Sequence, residues 1–229
     1  MTENILHTAY LAAAFLALFA SAEIMFHKFN VKAEVTRKYV HLCTGLLTML
    51  FPPLLGNHWF VLLLCGSFLV ILLVSLKFKL LPSINAVERQ TRGSILFPVI
   101  VYGCFLIYTF YGQFTFYYIP ILILAICDPV AALVGKRWPT GEYTTFGHKK
   151  TLSGSAGFFI SAVLTCLFLI VLVDGVSWGN GLIVALIVSG GTVVAEALTH
   201  KGYDNLTIPA SAVLTLMALS RINLLDVGI

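Results

Sequence analysis

The residues with the most obvious chemical use are a few polar side chains set in apolar surroundings. Glu23, Asp128 and Glu196 lie within long hydrophobic runs, and His41 lies near the start of another. Ionisable groups at membrane depth are expensive and are functional candidates for that reason. Asp128 is followed by Pro129, which removes a backbone donor and disturbs the helix that carries it. His41 follows Arg37 by one helical turn, so the two share a face. A second group is Lys149-Lys150-Thr151-Leu-Ser153-Gly154-Ser155, two lysines ahead of a small, hydroxyl-rich helix start. Free backbone N–H groups at a helix N-terminus suit a phosphate, glycines let the backbone come close to it, and lysines supply point charges. The Walker A spacing is absent, and a basic stretch before a span also serves as a plain topology marker. A third group is Asp204-Asn205 before Pro209. It reads either as a simple turn or as an oxygen-rich corner for Mg²⁺, which takes one or two carboxylates and completes its shell with phosphate oxygens and water.

These groups sit in a chain of 229 residues that is 59% hydrophobic and only 10% charged, with a mean hydropathy of +0.95. That composition excludes a disordered chain, a nucleic-acid-binding domain and an ordinary soluble enzyme. About 20 apolar residues cross a bilayer as a helix. Seven runs meet that length, at roughly 5–26, 38–55, 58–76, 94–111, 115–135, 155–173 and 180–199, and a shorter eighth covers 207–220. The predicted fold is therefore all-α: a polytopic integral membrane protein of seven transmembrane helices plus a short C-terminal eighth hydrophobic segment, forming one catalytic domain over 1–229. The runs are too long and too poorly alternating for barrel strands. Residues 5–26 read as a retained helix, because Met1 to His7 holds Glu3 and no Lys or Arg, unlike a signal peptide. The five cysteines fall inside the predicted spans and read as small buried apolar residues.

Every Lys and Arg except Arg221 falls in an odd-numbered loop: Lys28 to Lys38, Lys77 to Arg92, Lys136 to Lys150, and Lys201. The positive-inside rule then makes these loops cytoplasmic and puts the N-terminus outside. The intramembrane acids crowd toward the same side. A conduction pathway needs polar stations through the whole thickness, so the pattern favours an interfacial enzyme over a transporter or channel. Such an enzyme takes a soluble substrate from the cytoplasm and a lipid from the bilayer, in a bacterial inner membrane or an ER-type membrane.

Taken in order, Arg37-Lys38-x-x-His41-x-x-x-Gly45, Arg92-Gly93-Ser94-x-x-Phe97-Pro98, Asp128-Pro-Val-Ala-Ala-x-x-Gly135-Lys136-Arg, Gly147-x-Lys149-Lys150-Thr151-x-x-Gly154-Ser155, Glu196-Ala-Leu and Asp204-Asn205-Leu-Thr-Ile-Pro209 resemble the motifs of the membrane polyprenol kinase family. That family includes phytol kinase, dolichol kinase and CTP-dependent diacylglycerol kinase, and is distantly related to CDP-diacylglycerol synthase. Ser153 and Cys127 depart from the pattern, standing where an acid and a glycine are usual. The resemblance implies a kinase that moves the γ-phosphoryl group of CTP, with Mg²⁺, to an isoprenoid alcohol or diacylglycerol. Asp128, with Asp204 and Glu196, would hold the metal. Arg37, Lys136, Thr151, Gly154, Ser155 and Asn205 would contact the nucleotide, and Lys149 and Lys150 would neutralise the transferred group. A carboxylate or His41 would accept the alcohol proton, and the residues leave that choice open. The alternative within the resemblance is a cytidylyltransferase making a CDP-lipid. The sequence is silent on oligomeric state.

Overall fold

The computed structural model describes residues 2–85, 93–146, 148–200 and 202–225. Arg92, Gly147 and Lys201, named above for their charge or their motif, lie outside the described residues. The helices are α1 (Thr2–His27), α2 (Ala33–Thr48), α3 (Phe51–Leu54), α4 (His58–Lys77), α5 (Pro82–Asn85), α6 (Gly93–Tyr111), α7 (Thr115–Leu122), α8 (Asp128–Arg137), α9 (Leu152–Leu172), α10 (Trp178–Leu198) and α11 (Asp204–Ser220). A π-helical segment, Ile123–Cys127, joins α7 to α8 without a break.

Among the described residues, six helices are long and apolar enough to cross a membrane: α1, α4, α6, the α7–α8 unit, α9 and α10. The expected count of seven spans with an eighth segment is therefore not confirmed. The difference lies in α2 and α11. Hydropathy located an apolar run at 38–55, but the helix begins earlier, at Ala33, and stops at Thr48. Its first turns carry Glu34, Arg37 and Lys38, and its 16 residues span about 24 Å against ~30 Å of hydrocarbon. Pro52 and Pro53 open the separate short turn α3. Helix α11 starts three residues before the predicted run, at Asp204, and has 17 residues. The protein is a multi-pass membrane protein by its apolar helices, whose outer faces carry large bare side chains such as Leu164, Phe168 and Leu172. Patches of that extent suit hydrocarbon rather than water.

Local signals fix the helix starts. Asn57, Thr151 and Ser177 each cap a helix by accepting a backbone N–H, from Trp59, Gly154 and Asn180. Helix α7 and the π segment form the centre, packed against α2, α6, α9 and α11, and Ile119, Ile121, Ile123, Leu124 and Ala125 are fully buried. A Cβ on Gly45 of α2 would come 2.3 Å from the Ala125 side chain, so only glycine lets α2 lie this close.

The loop after α8, outside the apolar runs, holds two short strands. β1 (Glu142–Thr145) and β2 (His148–Thr151) form an antiparallel hairpin, with Tyr143 opposite Lys150 and Thr144 opposite Lys149. Each strand has only four residues, too few for alternation to show against the neighbouring helices. The hairpin is held at its base by Leu152 N–H on the Gly141 carbonyl (3.0 Å) and by the Ser153 hydroxyl, which donates to the Trp138 carbonyl. Gly141 turns with φ +65° against the Leu152 side chain, a conformation and a space open to glycine alone.

Glu23 also finds its role here. Its carboxylate accepts the backbone N–H (3.1 Å) and hydroxyl of Ser83 and lies 3.2 Å from His27. It tethers the α5 turn to α1, which is a structural task.

Candidate active site

The chemistry-bearing residues converge where α2, α8, α9, α10 and α11 meet at the end of the bundle that carries the basic loops. Asp128 is set there by the π segment. In the wide register of 123–127, the carbonyl five residues before Pro129 belongs to Leu124, and Pro129 has no N–H to offer it. His41 Nε2 lies 3.3 Å from that carbonyl oxygen. A carbonyl only accepts, so Nε2 carries the proton and Nδ1 is left as the basic nitrogen. The same proline that disturbs the helix of Asp128 thus fixes the tautomer of His41. Asp204, Glu196, Lys150 and Lys38 all lie near enough to Asp128 to interact with its charge, and Asp204 and Arg37 do the same to His41.

The hairpin separates the two lysines that the sequence presents as a pair. Successive side chains on a strand point to opposite faces. Lys150 turns inward: its side chain is 19% exposed, and its ammonium donates to Glu196 Oε1 at 2.6 Å and to the Glu196 backbone carbonyl. Lys149 is 82% exposed and meets Glu142 at 3.8 Å. Glu196 is held from its other side by the Ser155 hydroxyl (3.4 Å), which in turn pairs with the Tyr143 hydroxyl (2.7 Å). Strand, helix start and α10 are thereby tied into one network around a buried ion pair.

Helix α9 begins against α8. A Cβ on Gly135 would come 2.6 Å from Thr151 Oγ1, and one on Gly154 would come 2.9 Å from the same oxygen and 3.0 Å from the Ala131 carbonyl. Thr151 caps α9 through the Gly154 N–H at 3.1 Å. Asn205 closes the other side of the site. Its amide donates to the Gly93 carbonyl at 2.8 Å, and its own N–H meets Asp204 Oδ1 at 3.0 Å.

Two cavities share this centre. The larger, about 350 Å³, takes Arg37, His41, Asp204 and Asn205 at its polar end and continues between α1, α2, α4 and α6 as an apolar arm. The smaller, about 280 Å³, is lined by Ala131, Gly135, Lys136, Thr151, Gly154 and Ser155. Asp128, Lys149, Lys150 and Glu196 border both. Every residue given a catalytic, nucleotide or metal role in the sequence therefore lines one cavity or both, whereas Glu23 lines neither. Among the described residues, no group of three or more His, Cys, Asp or Glu side chains stands close enough to hold a metal ion. Sequence reasoning missed His148 and His200, whose rings stack at 4.7 Å beside the polar end, and it gave Lys38 no site role. His148 and Lys38 stand within quoted motifs and His200 lies between two of them, which is the signal that was present. The apolar arm had no signal, because its lining comes singly from four helices.

No family model matches the chain, and no solved structure matches it. A phytol kinase from Synechocystis sp. (strain ATCC 27184 / PCC 6803 / Kazusa) is 32% identical over 216 residues, covering 89% of this chain and 88% of the relative. The chain belongs to the polyprenol kinase family and is a membrane phosphotransferase with an alcohol group as acceptor.

Proposed function

We propose that the protein transfers the γ-phosphoryl group of CTP to the hydroxyl of an isoprenoid alcohol, at the cytoplasmic end of a single catalytic domain. The observation that carries this reading is the meeting of two unlike cavities at Asp128, Lys150 and Glu196. One is apolar and runs between the helices, as a lipid tail requires. The other is walled by glycines, alanines and lysines at a helix start, as a polyphosphate requires.

Lys149, Lys136 and Arg37 neutralise the phosphates, and Lys150, held in place by Glu196, meets the transferred group. Catalysis here is mainly positioning and charge neutralisation. The alcohol oxygen forms the new bond to phosphorus as the bond to the bridging oxygen breaks, and CDP leaves. His41 Nδ1 takes the alcohol proton, since Nε2 is committed to Leu124. Asp128 and Asp204 are hard oxygen donors at a shared cavity, a set that fits Mg²⁺ once phosphate oxygens complete the shell. Bound there, Mg²⁺ supplies charge neutralisation on the phosphates.

Incubating the purified protein with α- or γ-labelled CTP and a prenol tests this directly. Label entering the lipid from the γ position alone is the expected result. Label from the α position would mean nucleotidyl transfer and would overturn it.

A further inference from the structure

The apolar arm has a measurable depth and a closed end. Along α2 its wall runs from His41 at the polar end through Thr44 to Thr48, one helical face read at spacings of three and four. Seven residues of rise make that wall about 10 Å long. The two threonines add no polarity to it. Thr44 donates to the carbonyls of Val40 (2.7 Å) and His41 (3.0 Å), and Thr48 to that of Gly45 (2.7 Å). Four phenylalanines line the space, Phe15 and Phe19 from α1, Phe68 from α4 and Phe51 just past the end of α2. Phe15 packs on Phe68 at 4.9 Å and on Phe51 at 6.1 Å between ring centroids, and Phe19 packs on Phe68 at 5.7 Å. All four are buried, Phe51 at 2% exposure, whereas an arm open at this end would leave them bare.

Resting on the reading of a lipid alcohol as acceptor, the geometry points to Phe15, Phe19, Phe51 and Phe68 as the floor of a blind tail tunnel that sets the chain length of that alcohol. An extended chain advances about 1.2 Å per bond, so about 10 Å takes about eight bonds. That is a main chain of about eight carbons, or two isoprene units. Longer prenols must fold back or leave their ends outside, and they lose affinity for the transition state.

The test is kcat/KM over a series of all-trans prenols from one to five isoprene units. The wild type should peak at two units and fall about tenfold or more by five, since misfitted methylenes in an apolar site carry penalties of that order. Phe51→Ala and the milder Phe68→Leu should move the peak to longer chains, and Thr44→Phe should move it to shorter ones. These opposite shifts separate a ruler from general damage. One unchanged profile across wild type and all variants would overturn the assignment. A prenol with a diazirine at its far end adds a readout that needs no turnover. Labelling of peptides holding Phe15, Phe51 or Phe68 supports the tunnel, and labelling only near Arg37 overturns it. If no prenol is phosphorylated yet the far end labels the floor, the acceptor reading fails and the tunnel stands.

Discussion

The two cavities that meet at Asp128 are built on opposite principles. The smaller is made from backbone and small residues: Gly135 against Gly154, the Thr151 cap and the hairpin of Lys149 and Lys150, all within one stretch of chain. The larger is made from bulky side chains on α1, α2, α4 and α6, brought together only by folding. The phosphate-facing wall takes its shape from local structure, where few torsions separate the partners, and a few long-range contacts such as Lys150 on Glu196 fasten it to the bundle. A wall for an apolar tail needs only shape, and shape can be assembled from distant helices.

If that contrast holds, substitutions in the polar wall should act on the chemical step, and those in the apolar arm on acceptor choice. The largest effect is expected of Asp128→Asn, which should lower kcat by about 10³-fold while membrane insertion and yield stay intact; full turnover would break the comparison at its centre. Next, His41→Gln should lower kcat by about 10²-fold or more and remove the rising acidic limb of the pH–rate profile. A profile that keeps this limb would move the proton to a carboxylate. Lys150→Ala should cost about 10²-fold in kcat/KM, against less than about tenfold for the exposed Lys149→Ala. Equal losses would mean that the inward and outward faces of the hairpin do not differ in function.

The smallest effect belongs at the other end of the bundle. Burial pushes the Asp174 carboxyl up to about 6, although it accepts the Thr115 N–H. Its folded value lies above the unfolded one of about 3.9. Ionised Asp174 therefore opposes folding in full above pH 6, and the opposition fades as pH falls from 6 toward 4. Asp174→Asn should raise the Tm near pH 7.5, change it little near pH 4, and leave kcat/KM untouched; this is checked by thermal unfolding in detergent beside the prenol assay. A change in turnover would show that the two ends are coupled.

The same contrast explains what the sequence made legible. Asp128, Lys150, Gly154 and Asp204 were readable because charge in an apolar run, or glycine beside serine, is rare enough to notice. Six long helices were readable from hydropathy, and their ends less so: α2 was placed too late because its first turn is charged. The roles of Thr151 and Asn205 as cap and clasp depend on partners three and 112 positions away, and only the second is beyond local inspection. Phe15, Phe51 and Phe68 look like any core phenylalanine. Nothing in their spacing tells that they meet one another, or that a cavity ends on them.

The π segment before Asp128 amounts to one surplus residue in an otherwise regular helix. Each residue advances the phase of an α-helix by about 100°, so a single insertion re-aims everything downstream. A chain one residue shorter between Leu122 and Asp128 would keep the same hydropathy, the same charges and the same motifs. Its carboxylate would come round on a different side of α8, out of line with Glu196 and Asp204. The angular setting of this site is therefore a matter of counting, and a one-residue deletion within Ile123–Cys127 is the smallest edit that turns the acid away from its partners.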